Sequence, residues 1–281
     1  MVARQGVGRP AIGLFALNHH AGPESIARLA PLAEELGYDS LWMGEHVVVP
    51  DPRRPPSPMD PDEPIQDPLV ALAFAAALTK GIRLATGIII LPQRNPVVLA
   101  KQLASLDSIS GGRLIFGLGV GYLEPEMAAI GVPMERRGRR ADEYLAAMRA
   151  LWEQERPSYD GEFVRFDGVN AYPRPAQSRL PVVIGGHTAA AHRRAARSAQ
   201  GWYGFLLDLD QTADQVAGLR RALAEEGRDP ADLEVTVSPS LRLDPETATA
   251  YGELGVDRLV LVPRPGTDLD GVERLMRRTA P

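Results

Sequence analysis

An almost unbroken apolar run, Ile82–Leu91, followed by a helix and a second apolar run, constrains this chain more than any other feature. Its β-branched side chains suit a strand buried on both faces of a parallel sheet. Leu99, Leu103 and Leu106 then recur at helical spacing, and Gly111-Gly112 stops that helix. Arg113–Phe116 begins the next buried strand, and Gly117, Gly119 and Gly121 open its far end. Parallel apolar strands joined by an amphipathic helix define an α/β protein. Glycines at a strand's carboxyl end are where such folds bind ligands.

The same beat runs along the whole chain. Strands are predicted over Ala11–Leu17, Tyr38–Met43, Pro181–Ile184, Trp202–Leu206, Leu233–Val237 and Arg258–Val262, with helices between them. Eight strand–helix units predict a closed (β/α)8 barrel, one domain spanning residues 1–281. The alternative is an open doubly wound sheet. That fold would place a glycine fingerprint after its first strand, where this chain has Leu17-Asn18-His19-His20. Two insertions interrupt the rhythm. Pro50–Pro68 holds eight prolines and is either a solvated connector or a loop over the barrel mouth. Residues 158–175 read as a short hairpin turning at Asp167-Gly168, near the same face.

Composition removes several classes of function. The formal net charge of −5 argues against a nucleic-acid partner. With no cysteine there are no disulfides, thiolate metal sites or cysteine nucleophiles. No signal peptide or long apolar run is present, so the expectation is a cytoplasmic protein with no membrane partner. Histidines 19, 20, 46, 187 and 192 show no ligand spacing backed by a carboxylate motif, which argues against a metal centre. His187 and His192 are expected to diverge along one helix. No GxSxG elbow supports a serine hydrolase.

Candidate site residues gather where strands end. The second strand leaves through Gly44-Glu45-His46, and the third contains Thr86-Gly87-Ile88. The fourth leaves through Gly119-Val120-Gly121-Tyr122-Leu123-Glu124. The fifth passes through Gly185-Gly186-His187-Thr188 directly into a helix. Small residues at a helix N-terminus expose unpaired N–H groups at the positive end of the dipole, a site for phosphate. Read on its own, the same turn is equally a tight connection capped by Thr188.

Together these segments resemble the luciferase-like flavin and deazaflavin oxidoreductases, in particular their coenzyme F420-dependent branch. The resemblance rests on Gly37-Tyr38-Asp39-Ser40-Leu41-Trp42 with Glu45-His46, Ala85-Thr86-Gly87 with Leu91-Pro92, and Leu99-Ala100-Lys101-Gln102. It continues through Ser110-Gly111-Gly112-Arg113, Gly117–Gly121, Arg137–Arg140, Ile184-Gly185-Gly186 and Arg193–Arg197. It implies a TIM-type barrel holding a tricyclic cofactor at the strands' carboxyl ends. By position it implies a non-prolyl cis peptide at Gly87-Ile88, a phosphate grip at Gly185, Gly186, His187 and Thr188, and contacts from Leu123 and Glu124. Glu124 read alone simply favours a helix N-terminus. The resemblance places His46 beside ring and substrate, with Glu45 and Tyr122 as further candidates for proton transfer. Val120 stands where some relatives carry a catalytic acid, which argues against a sugar-phosphate dehydrogenase. F420 is expected over FMN, and Arg136–Arg140 are candidates for neutralising its acidic tail, or an ordinary solvated face in which Arg139 pairs with Glu143. The implied reaction is hydride transfer to or from a small-molecule substrate. The alternatives are an FMN monooxygenase served by a reductase, and a non-catalytic or cofactor-free barrel. A homodimer is expected from the family likeness.

Overall fold

The computed structural model describes residues 9–281; residues 1–8 of the expected single domain lie outside the described residues. The elements run β1 (Ala11–Phe15), α1 (Glu24–Glu35), β2 (Ser40–Met43), α2 (Pro68–Leu78), β3 (Arg83–Thr86), β4 (Ile89–Ile90), α3 (Pro96–Ile109) and β5 (Leu114–Gly119). They continue α4 (Glu124–Ala129), α5 (Arg137–Glu153), β6 (Tyr159–Asp160), β7 (Arg165–Phe166), β8 (Val182–Gly185), α6 (Ala189–Ser198) and β9 (Gly201–Leu207). The last are α7 (Leu209–Glu225), β10 (Glu234–Pro239), α8 (Pro245–Glu253), β11 (Arg258–Leu261) and α9 (Leu269–Thr279).

β1 pairs in parallel with both β2 and β11, and the pairing of β3 with β5 closes the ring. Counting β3 and β4 as one interrupted stave, the nine-stranded sheet is the expected eight-stave parallel barrel. The open-sheet alternative is thereby excluded. The interruption corrects the expected continuous strand from Ile82 to Leu91. A cis Gly87–Ile88 peptide separates β3 from β4, and a 3-10 turn, Leu91–Gln93, follows.

Strand alternation sorts side chains into two cores. Leu14, Leu41, Leu84, Phe116, Ile184 and Leu259 face the helices. Phe15, Trp42, Ala85, Ile115, Val183, Tyr203 and Val260 fill the barrel, with Ile88 packed against them. At the amino-terminal end the filling becomes polar. Arg258 is 1% exposed. It pairs with Asp39 and Glu234, donates to Thr236 Oγ1 at 3.3 Å, and lies 5.9 Å from the Trp42 ring.

Helix starts follow ordinary capping chemistry. Asp67 accepts the N–H groups of Leu69 and Val70 at 2.8 and 3.1 Å, and Pro68 needs no partner in the first turn. Asn95 caps α3 in the same way. The hairpin turns earlier than expected. Tyr159 pairs with Phe166 and Asp160 with Arg165, so its loop is 161–164 and not Asp167-Gly168. The reason is packing: Phe163 at that tip sits under the Arg136 and Arg140 guanidinium groups, 5.0 and 4.8 Å from its ring centre. No helix of the described residues is long and apolar enough to cross a membrane.

Candidate active site

The floor of the barrel mouth is built around one side chain. Ile88 follows the cis peptide and points into a recess made by glycines on neighbouring strands. A Cβ on Gly119 would lie 2.1 Å from Ile88 Cδ1, and one on Gly185 would lie 2.7 Å from it. A Cβ on Gly117 would lie 2.0 Å from the Thr86 carbonyl oxygen, which is backbone and cannot swing away. Here Thr86 Oγ1 stands in for the sheet, accepting Gly117 N–H at 2.8 Å and donating to Gly117 O at 2.7 Å. The glycines of β5 and β8 are therefore required by the bulge at residues 87–88.

One wall is a carboxylate-backed imidazole. His46 Nδ1 lies 2.9 Å from Glu126 Oε2, and Glu126 Oε1 accepts the Val47 N–H at 2.6 Å. The Glu126 side chain is 0% exposed and that of His46 13%. A buried carboxylate bonded to Nδ1 orients the ring. The Tyr122 ring stands edge-on to His46 at 6.1 Å. Burial first, and then the charge of Glu126, raise the Tyr122 phenol.

Glu45, the second expected proton-transfer residue, has both carboxylate oxygens engaged. It accepts the Ile90 N–H at 2.6 Å and the Arg94 Nε–H at 2.7 Å, and Arg94 reaches on to Asp67 Oδ2 at 2.6 Å. Burial pushes the Glu45 carboxyl up, opposed by the Arg94 charge and the Ile90 N–H. The pair ties the exit of β2 to β4 and to the start of α2.

Gly186 adopts φ +120°, a conformation L side chains rarely take, and its carbonyl accepts the Trp202 indole N–H at 2.8 Å. Thr188 caps α6 by accepting Ala191 N–H at 3.2 Å, leaving the helix's first N–H groups facing outward. His187 Nε2 accepts the Phe205 N–H at 3.1 Å. His187 and His192 do not diverge: their rings lie 6.2 and 5.9 Å from that of Trp202, because His187 precedes the helix. Leu123 is 1% exposed and caps α4 through its backbone alone, whereas Glu124 is exposed in the first turn of α4. Exposed apolar side chains rim this end of the barrel, among them Val47, Val48, Tyr122, Phe205 and Leu206. An apolar mouth over a glycine-cut recess, beside outward-facing helix N–H groups, fits a flat ring with an anionic tail.

The arginine run is deployed in part on the protein itself. Arg137 Nε donates to Gly121 O at 3.0 Å, holding the exit of β5. Arg139 pairs with Glu162 at 3.1 Å, not with Glu143, whose Oε1 instead accepts the Phe163 and Val164 N–H groups. The Arg139 side chain is 67% exposed and remains open to an anion. The proline-rich loop is anchored at the mouth, with Gln66 N–H donating to Asn18 O at 2.9 Å and Asn18 Nδ2 to Gln66 O at 2.8 Å. Among the described residues no group of acidic or histidine side chains is arranged to hold a metal ion.

The chain matches the luciferase-like monooxygenases over residues 11–271 and belongs to that family. It is 36% identical over 276 residues to an uncharacterized protein of Mycobacterium tuberculosis, covering 95% of both chains. It is 30% identical over 251 residues to the F420-dependent glucose-6-phosphate dehydrogenase of Kineococcus radiotolerans, covering 86% of this chain and 71% of that one. Similarity to the FMNH2-dependent dimethylsulfone monooxygenase of Pseudomonas putida is 34% over 112 residues, 39% of this chain and 31% of the other. Among solved structures, an F420-dependent secondary alcohol dehydrogenase superposes with a TM-score of 0.76 at 18% identity, covering 96% of this chain and 99% of the other, a likeness of fold. The family thus contains relatives that use either cofactor.

Proposed function

We propose that the chain is an F420-dependent oxidoreductase that moves a hydride between the deazaflavin and a small organic substrate. The observation that carries this reading is the His46–Glu126 pair beside the Ile88 recess. Support for F420 over FMN comes from the Kineococcus relative, which aligns over far more of the chain than the FMNH2-dependent one. When bound, the deazaflavin supplies hydride exchange and leaves the accompanying proton to the protein. His46 is the group for that proton. With Nδ1 held by Glu126, its Nε2 is the atom that takes a proton from a substrate hydroxyl or returns one. Gly185, Gly186, His187, Thr188 and the first turn of α6 would hold the cofactor phosphate, and Gly87, Ile88 and Glu124 would line the ring and its edge, whereas Leu123, 1% exposed, is closed to it. Glu45 acts through the backbone it fixes, and Tyr122 closes the side of the His46 ring.

The test is a fluorescence titration of the protein with F420 and, separately, FMN, followed by turnover on a panel of alcohols and ketones. The expected result is F420 binding with bleaching of its absorbance on reduction. Tight FMN binding without affinity for F420 favours the monooxygenase reading instead, with a reductase as partner. Binding of neither leaves a cofactor-free barrel.

A further inference from the structure

Away from the mouth, the outer wall of the barrel carries a basic groove that the function proposed above does not use. α5 is held to α3, with the Trp152 indole N–H donating to Ala100 O at 3.0 Å. α6 is held instead to α7, where His192 Nε2 and Gln215 Oε1 lie 2.9 Å apart. Each helix thus packs on its far neighbour, and a groove of about 370 Å³ is left between them. That volume falls in the range of small-molecule sites. The groove is bridged twice. Arg194 of α6 pairs with Asp142 of α5 and donates to Gly138 O at 3.2 Å. Further along, Arg149 of α5 donates to Ser198 O at the end of α6.

The polar lining is unbalanced. Arginines 149, 193, 194 and 197 face a single carboxylate, Asp142, and Arg194 already holds it. Arg197 is paired with Glu226, outside the lining, at 3.0 Å. Arg193 is exposed and has no ion-pair partner among the described residues. Arg149 is half-buried and bonds a backbone carbonyl, with no carboxylate in bonding distance. Burial first, and then the charge of Arg179, lower its guanidinium, with Glu153 opposing them. Arg193 and Arg197 also stand one turn apart on the same helix face, a like-charged spacing that costs helix stability. In a chain whose formal net charge is −5, composition does not explain this concentration of cations. A half-buried cation without a counter-ion is costly, and an anion lying in the groove removes that cost.

We propose that the groove between α5 and α6 is a binding site for an anion carrying two or more phosphate or carboxylate groups. Arg193 and Arg149 are its principal ligands, with Arg197 at the rim. Arginines one turn apart on α6 set their charges about 6 Å apart, which suits successive groups of one chain-like anion. Arg149 grips the same anion from the opposite wall. Two sources share this chemistry. One is a free polyanion. The other is the acidic tail of F420, because the groove starts at Ala190, in the α6 turn that the cofactor phosphate would occupy. The site itself does not depend on the oxidoreductase reading.

The test is isothermal titration of the whole protein with tripolyphosphate in phosphate-free buffer. Binding of one equivalent is expected, weakening as salt is raised because exposed charges are screened. Arg193→Gln, at an exposed position with no partner to lose, should weaken it several-fold. Arg149→Gln should weaken it roughly tenfold or more, the loss expected for one charge-assisted hydrogen bond. Arg278→Gln on α9 removes the same charge elsewhere and should leave binding unchanged. Absence of binding overturns the proposal. So does binding that survives both groove substitutions, or that weakens equally in Arg278→Gln, since the anion then sits elsewhere or answers to net charge alone. Saturating F420 separates the sources: a tail lying in the groove expels tripolyphosphate, whereas a free-anion site keeps both. If F420 does not bind, the oxidoreductase reading fails and the tripolyphosphate titration still decides the groove.

Discussion

His46 and Glu126 are 80 residues apart in the chain and 2.9 Å apart in space. Removing the imidazole with His46→Ala should lower turnover by roughly 10²–10⁴-fold, the usual worth of a positioned acid–base group, while F420 affinity measured by fluorescence stays within a few-fold. Glu126→Gln should lower turnover less, because the ring keeps an oriented partner but loses the charge behind it. A second residue-scale consequence concerns stability. His19 has a folded-state pKa of about 4 against an ordinary value of 6.5, chiefly through burial and then through His46 and His20. The unfolded chain therefore takes up its proton first, so this stabilisation is complete above about 6.5 and is lost as pH falls towards about 4. The melting temperature should drop across that window, and His19→Leu should flatten the drop in a calorimetric pH series. His46 was marked as a candidate only by its place after a strand taken together with the family likeness. Glu126 was not: a carboxylate in Leu123-Glu124-Pro125-Glu126 carries no local mark of being the buried one, and only the tertiary path of α4 selects it over exposed Glu124.

At the scale of elements, the recess under Ile88 makes different demands on each glycine. Gly119→Ala places a methyl against the tip of a flexible side chain, 2.1 Å from Cδ1. It should displace Ile88 and weaken cofactor binding with little loss of fold. Gly117→Ala meets the Thr86 backbone at 2.0 Å and should instead lower the midpoint of urea unfolding. Pairing Gly119→Ala with Ile88→Ala should recover part of the affinity, as a double-mutant cycle would show. Most strands and helices were legible because buried parallel strands and amphipathic helices carry strong periodic signals, but the break between β3 and β4 and the short α4 were not. The hairpin was misplaced because residues 160–161 and 167–168 are both Asp-Gly, and a dipeptide does not say which of two turns closes a ladder. The tie between Phe163 and the Arg136 and Arg140 guanidinium groups decides it, and that contact is not local.

For the whole molecule, closure of the barrel depends on a charged cluster at its amino-terminal end. Arg258 on β11 joins Asp39, which precedes β2, to Glu234 on β10. Arg258→Met would leave Glu234 without its bonded cation and Asp39 with Arg83 alone, which holds it at 2.8 and 3.0 Å, and should lower the midpoint of chemical denaturation. Val70, Phe74 and Leu78 recur along the outer face of α2, with Val98 exposed on α3. A self-associating face there would fit the expected homodimer. Light scattering is expected to give twice the chain mass, and Val70→Lys with Phe74→Lys should return it to one. The barrel class was readable from rhythm alone, but the inward cluster was not, because Asp39, Glu234 and Arg258 each read as ordinary strand-edge charges until the ring is closed.

The seat beneath Ile88 also bears on how such a chain can change over generations. Positions 88, 117, 119 and 185 lie on three staves yet share one small volume, so they behave as a single heritable trait. In a saturation library selected for cofactor binding, survivors with a larger residue at 119 or 185 should carry a smaller one at 88, while 117 should stay glycine throughout. Remodelling this mouth for a new substrate therefore has its easier route through the rim loops, with the floor inherited as a unit.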